Sequence, residues 1–215
     1  MIFKPHQKIV FIGDSVTDCE RARPVGEGLF GAGGKGWVSL VDAALQCGYP
    51  ALGLRVVNMG TSGNTVRDLA GRWQTDVLDQ RPDWVAVMIG INDVWRQFDL
   101  PRQTECSVPL DEYRRTLDAL VERTLPAVKG VILMTPFFIE DHTGDAMRAR
   151  MDEYGAAVKR IAQARGCLFV DTQAAFAPLL EQMHSAAIAW DRIHPNHIGH
   201  MALARAFITA VGATA

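Results

Sequence analysis

The chain has 215 residues, 48% hydrophobic and 21% charged, enough apolar material for one globular domain with a sizeable core spanning 1–215. A formal net charge of -2 and the lack of any polybasic cluster exclude a nucleic-acid binder or a protein held electrostatically on a membrane. No apolar run approaches the roughly 20 residues that span a bilayer. The polar stretch from Met1 to Ile9 leads into a strand without the regions of a signal peptide, so a cytoplasmic location is expected. Cys19, Cys47, Cys106 and Cys167 are scattered without a CxxC pair and read as free thiols.

The first predicted strand covers 8–12 and breaks at Gly13, where Asp14 and Ser15 follow. From Cys19 to Gly36 the chain is rich in glycine and charge and reads as a long irregular rim loop. No Lys-Ser/Thr follows its glycines, which argues against a phosphate loop. A helix is expected over 37–48, with Val38, Val41 and Leu45 on one face, then a strand over 54–57. Asn58 to Thr65 is turn-rich, and Val66, Leu69, Trp73 and Val77 recur at helical spacing after it. The run 83–89 is near-continuously apolar, as a central parallel strand should be, and ends in Gly90-Ile91-Asn92-Asp93. A helix over 111–128 with Pro126 near its end, a strand over 130–134, a helix over 146–165 and a strand over 168–170 follow. Helices over about 174–184 and 198–211 close the chain. Five alternations of strand and helix predict an α/β fold, a three-layer α/β/α sandwich on a five-stranded parallel sheet. The flavodoxin-like order 2-1-3-4-5 places the loops after strands one and three at the switch point.

A serine just beyond a buried strand sits where such sheets place their ligands. Its hydroxyl needs a base within reach, and the base needs an orienting partner. Among six histidines, His194 stands out: Asp191 lies three residues before it, and Pro195 keeps the segment out of a helix. Asp191 can accept from one ring nitrogen of His194 while the other faces Ser15. Negative charge building on a carbonyl oxygen needs donors, and the Ser15 N–H, the Gly63 N–H and the Asn92 amide are candidates. Taken singly, Gly60 and Gly63 also fit ordinary turns, and Asn92-Asp93 a helix cap. Cys19 is a rival nucleophile with a poorer position. His194-x-x-His197-x-x-His200 looks like a ligand run for a metal-dependent deacetylase. However, steps of three drift around a helix, and Pro195 and Gly199 interrupt it, so no metal and no organic cofactor are expected.

With these blocks in hand, the chain resembles the SGNH/GDSL family of serine esterases and lipases. The blocks are Gly13-Asp14-Ser15-Val16-Thr17-Asp18 (with Val where the eponymous motif has Leu), Asn58-x-Gly60-x-Ser62-Gly63-Asn64-Thr65, Gly90-x-Asn92-Asp93 and Asp191-x-x-His194-Pro195. The resemblance implies a flavodoxin-like α/β/α sandwich. It also implies Ser15 as nucleophile, His194 as base and then acid, Asp191 as its orienter, and an oxyanion hole from Ser15, Gly63 and Asn92. Asp14, Asp18 and Asp93 would hold loops.

Longer stretches, Asp18 to Gly28, Ile91 to Gln97, Met134 to Phe138 and Ala189 to Arg192, resemble the bacterial intracellular acetylxylan esterases of this family. That resemblance implies a small acetylated saccharide, a xylo-oligosaccharide, as substrate. Arg21, Trp95 and Trp190 are candidate substrate contacts. Core packing is the alternative for Trp95, and surface or subunit ion pairs for Arg21, Arg23 and Arg96. A homo-oligomer is expected. A thioesterase, a lysophospholipase, an esterase for another acetylated sugar and a non-catalytic carbohydrate binder on the same fold remain the competing readings.

Overall fold

Five short apolar runs form the strands of one sheet in the computed structural model, which describes residues 1–214. The strands are β1 (Lys8–Gly13), β2 (Arg55–Asn58), β3 (Trp84–Met88), β4 (Gly130–Met134) and β5 (Leu168–Val170). They are parallel throughout, in the expected order β2-β1-β3-β4-β5. The connecting helices are α1 (Ser15–Asp18), α2 (Trp37–Gly48), α3 (Val66–Trp73), α4 (Ile91–Asp99), α5 (Leu110–Thr124), α6 (Ala146–Arg165), α7 (Thr172–Leu180) and α8 (His197–Ala210).

Alternation along the strands feeds two cores. Val10 and Ile12 of β1, Val85 and Val87 of β3, and Val131 and Leu133 of β4 pack with Trp73 of α3, Leu117 of α5 and Tyr154 of α6. Ile9, Phe11, Ala86, Met88, Ile132 and Met134 point the other way, to Trp37 of α2, Phe176 of α7 and Phe207 of α8. Each such large apolar side chain contributes roughly 1.5–3 kcal/mol by leaving water. The buried Trp73 indole also satisfies its N–H, donating to Thr124 Oγ1 at 2.9 Å.

Several boundaries differ from expectation. The segment after β3, to which the sequence reading assigned no helix, is the helix α4. Ile91, Val94, Trp95 and Phe98 recur along it at helical spacing, and Ile91 and Val94 are buried. Helix α7 covers Thr172–Leu180 rather than 174–184. Asp171 caps its start by accepting from Ala174 N, and a separate 3-10 turn, Ser185–Ala187, has its own cap in His184. Helix α5 ends at Thr124, and Pro126 sits in the 3-10 turn that follows. Loop 19–36 is irregular, as expected, and is pinned to the sheet edge by an isolated bridge between Gly26 and Asn58. Among the described residues no helix is long and apolar enough to cross a membrane.

Because β1 lies between β2 and β3, the loops at the carboxyl ends of these strands converge at one end of the sheet. Those loops carry Ser15, Gly63 and Asn92.

Candidate active site

Gly13 ends β1, and Asp14 turns the chain into α1. The Asp14 carboxylate accepts from Val16 N at 3.0 Å, capping the short helix whose first residue is Ser15. Ser15 is thus half-exposed at a helix start, above buried Val16, Thr17 and Asp18.

The opposite wall is the turn before α8. Asp191 Oδ1 accepts from Ile193 N at 2.9 Å and from His194 N at 2.8 Å, a local turn that the Asp-x-x-His spacing permits. Its other oxygen lies 2.6 Å from His194 Nδ1, and His194 Nε2 lies 2.9 Å from Ser15 Oγ. Burial alone would raise the Asp191 carboxyl. Hydrogen bonds from the His194 ring and from the backbone of His194 and Ile193 outweigh it and hold the group below its ordinary value. An ionised carboxylate at this distance keeps a proton on Nδ1 and leaves the Nε2 lone pair toward Ser15. The three side chains therefore form a relay able to take the serine proton.

Hydrogen bonds between loops bring the other blocks to the same place. Asn58 Nδ2 donates to Thr17 O at 2.6 Å, and Asp18 Oδ2 accepts from Ser62 N at 2.9 Å and Ser62 Oγ at 2.8 Å. Gly60 must be glycine, since a Cβ there would stand 2.3 Å from Asp18 N. Gly63 has φ +82, a left-handed conformation that glycine adopts without strain. Asn92 is buried; its Nδ2 donates to Asn64 O at 3.0 Å, and its Oδ1 accepts from Arg96 Nη2 at 3.4 Å. These two contacts direct the amide nitrogen, rather than the oxygen, toward the Gly63 loop. Asp93 Oδ1 accepts from Val66 N at 3.0 Å and so joins the Asn92 turn to the start of α3.

The candidate substrate residues fall into different surroundings. The Trp95 ring meets His194 edge-on with centroids 6.0 Å apart, and the Arg96 guanidinium lies 4.1 Å above the indole. Trp190, beside Asp191, is 90% exposed. Arg21 departs from expectation: it is 6% exposed, and its Nε and Nη1 donate to Gly60 O, Ala22 O and Pro24 O at 2.7–3.0 Å. Its guanidinium pins the rim loop to the β2–α3 turn, because three backbone carbonyls there need a donor. Arg23 is the more exposed of the pair and bonds Asp18 Oδ2 at 2.6 Å.

Cys19 and the downstream histidines do not join this relay. Burial, helped by Asp18, Asp14 and Glu20, pushes the Cys19 thiol up to about 12, so it is not a thiolate near neutrality. Its sulfur lies 3.4 Å from His200 Nε2, and His200 Nδ1 accepts from Trp37 N at 3.3 Å. His194 and His200 of the His-x-x-His-x-x-His run thus look into different surroundings. Among the described residues no group of three or more His, Cys, Asp or Glu is arranged to hold a metal ion.

Two carboxyls under the site carry a cost. Burial raises Asp14 from its ordinary 3.8 to about 7, against the Val16 N–H, and raises Asp93 likewise to about 7, against the Val66 N–H. Each folded-state value lies above the unfolded one, so the stability it contributes is complete below about pH 4 and lost as pH rises through about 7. Buried His200, pushed down to about 4, acts oppositely up to its ordinary 6.5 and offsets one of the two carboxyls. Unfolding free energy should therefore fall as pH rises from about 5 to 6.5, where the two carboxyls outweigh His200. Asp93→Asn should remove most of that slope. Chemical denaturation across a pH series measures both, and a wild-type slope of the opposite sign would refute the assignment.

Comparison with known proteins bears directly on this arrangement. A model of the GDSL-like lipase/acylhydrolase family matches residues 11–202. An acetylxylan esterase of Geobacillus stearothermophilus is 61% identical over 206 residues, covering 96% of this chain and 94% of that one. The crystal structure of Axe2, an acetylxylan esterase from the same organism, matches with a TM-score of 0.99 at 59% identity over 100% of this chain and 98% of that one. Structures described as catalytic mutants of Axe2 (S15A, H194A and D191A) match as well. LAE5, an alpha/beta hydrolase enzyme from the metagenome of Lake Arreo, matches with a TM-score of 0.97 at 57% identity over 99% of this chain and 98% of that one. A family model reaching from β1 into α8, and a relative this similar along nearly the whole chain, mean that the chain belongs to the GDSL-like lipase/acylhydrolase family.

Proposed function

We propose that the chain is a serine esterase that removes acetyl groups from acetylated xylo-oligosaccharides through an acetyl-serine intermediate. The observation that carries this reading is the relay Ser15 Oγ–His194 Nε2 at 2.9 Å and His194 Nδ1–Asp191 Oδ2 at 2.6 Å. The similarity to Axe2, whose structures are also described as those of an acetyl-xylooligosaccharide esterase, supports the substrate class.

His194 Nε2 takes the Ser15 proton as Oγ attacks the acetyl carbonyl carbon. The carbonyl oxygen becomes an oxyanion among the Ser15 N–H, the Gly63 N–H and the Asn92 amide. The tetrahedral centre collapses, the C–O bond to the sugar breaks, and the leaving oxygen receives the proton from His194. Water then gives a proton to His194 and its oxygen to the acetyl carbon. The Ser15 ester bond breaks, Oγ recovers the proton, and acetate leaves. Asp191 stays ionised and stabilises the imidazolium at each stage. Trp95 and Trp190 offer aromatic faces to a sugar ring. This chemistry draws on protein groups alone, without metal or organic cofactor.

In the same reading the whole chain is a single hydrolase domain, acts in the cytoplasm and assembles as a homo-oligomer. Four unpaired cysteines suit a reducing compartment. Fully projecting Phe30 suits a contact between copies. Mass spectrometry of acetylated xylo-oligosaccharides incubated with the protein tests the reaction: stepwise loss of acetyl groups is expected. Unchanged oligosaccharides, together with faster cleavage of long-chain acyl esters, would overturn it.

A further inference from the structure

Helix α3 carries a cation that reaches back under the site. Arg72 sits one residue before its end, and its side chain is only 17% exposed. Its Nε donates to Asn64 Oδ1 at 2.6 Å, its Nη1 to Met59 O and Asp76 Oδ2 at 2.7 Å each, and its Nη2 to Gly13 O at 3.0 Å. Gly13 closes β1 two residues before Ser15. Met59 leaves β2 on the way to Gly63. Asn64 follows Gly63 directly, and its carbonyl accepts the Asn92 amide at 3.0 Å.

We infer that Arg72 is a positioning residue of the oxyanion hole, one guanidinium that sets the mutual spacing of the loops bearing Ser15, Gly63 and Asn92. This rests on the reading of those three residues as the donors. Oxyanion stabilisation depends on donors already aimed at the position the charged oxygen will take, and a displacement of about 1 Å can cost roughly a hundredfold in rate. The Gly63 peptide is held on one side by Asp18 through Ser62 and on the other by Arg72 through Asn64. Glycine at φ +82 has no side chain to hold it, so its N–H direction depends on these two neighbours. Asp76 neutralises the guanidinium and fixes its plane. The contact requires arginine: carbonyls and an amide oxygen from the end of β1 and the β2–α3 loop are met by one planar fork, whereas a lysine ammonium is a compact point that cannot span them.

The test uses Arg72→Met, Arg72→Lys, Asn64→Ala and Asn92→Ala, each assayed at a temperature where circular dichroism shows it folded. Turnover of p-nitrophenyl acetate is measured, and methylboronic acid serves as a tetrahedral probe that adds to Ser15 Oγ. Arg72→Met should lower kcat by about 10- to 100-fold with KM nearly unchanged. Boronate affinity should fall in step with kcat/KM, and Arg72→Lys should recover part of both. Arg72→Met that lowers only the thermal midpoint, leaving kcat and boronate affinity intact, would overturn the inference. If Arg72→Met does not fold, Asn64→Ala, which deletes only the Nε contact, must show the same split on a smaller scale. Full kcat and boronate affinity in that variant would likewise overturn it. Asn92→Ala separates the two readings: if it keeps both quantities, the assignment of the hole itself fails, whatever Arg72 does.

Discussion

Ser15→Ala should lower deacetylation by roughly 10^4- to 10^6-fold while leaving the protein folded. The hydroxyl makes a single hydrogen bond, to His194 Nε2, and that nitrogen belongs to a side chain 44% exposed. Removing it leaves no buried polar group without a partner, so the unfolding free energy should change by less than about 1 kcal/mol. What disappears is the attacking oxygen. The remaining rate would come from binding and the oxyanion donors acting on water. Initial rates on an acetylated xylo-oligosaccharide, measured beside a thermal melt, decide the matter. Turnover within tenfold of the parent protein would mean that another group attacks. Cys19 is the nearest thiol in sequence, but one held up to about 12 by burial is a poor substitute.

Asp191→Asn is expected to cost about 10^4-fold in kcat with little loss of structure. The carboxylate has two tasks on two oxygens. Oδ1 accepts the backbone N–H groups of Ile193 and His194, and an asparagine oxygen can do the same. Oδ2 faces His194 Nδ1 at 2.6 Å, and there an asparagine presents an N–H. Two donors cannot share that contact, so the ring proton moves to Nε2. A protonated Nε2 cannot take the Ser15 proton. Asp191→Ala should be worse for the loop as well, because both backbone groups then lose their acceptor. Steady-state kinetics of the two variants, with thermal midpoints, separate tautomer from architecture. If Asp191→Asn keeps more than a tenth of the parent kcat, some other group holds the tautomer. The carboxylate would then serve only the turn.

Much of this site was legible because its parts are local. The Asp-x-x-His-Pro stretch makes its own turn: Asp191 reaches the N–H groups two and three residues on, and Pro195 blocks the helix from starting early. The strand ends were legible because short apolar runs stop abruptly at Gly13, Asn58 and Gly90. Alternating strands and helices then leave few topologies open. Even α4, overlooked as a helix, shows its period in Ile91, Val94, Trp95 and Phe98.

The guanidiniums were a different matter. Arg21 reads as a rim-loop residue, and nothing in the spacing of Val66, Leu69, Trp73 and Val77 singles out Arg72. Instead Arg21 reaches Gly60 O, 39 residues on, and Arg72 reaches Met59 O and Gly13 O, 13 and 59 residues back. No periodicity encodes this, because the acceptors are main-chain oxygens that every residue type supplies. The raised titration of Asp14 and Asp93 was equally hidden, since it follows from complete burial beneath the converging loops and not from any neighbour in sequence. Residue types and short-range spacing thus determined by themselves the sheet, the place of the serine, the Asp–His turn and the strand-end loops. Only the tertiary structure decided which long side chains bridge the loops after the strands and which carboxyls burial pushes up. Both depend on desolvation and on contacts between segments that meet only when the chain has folded.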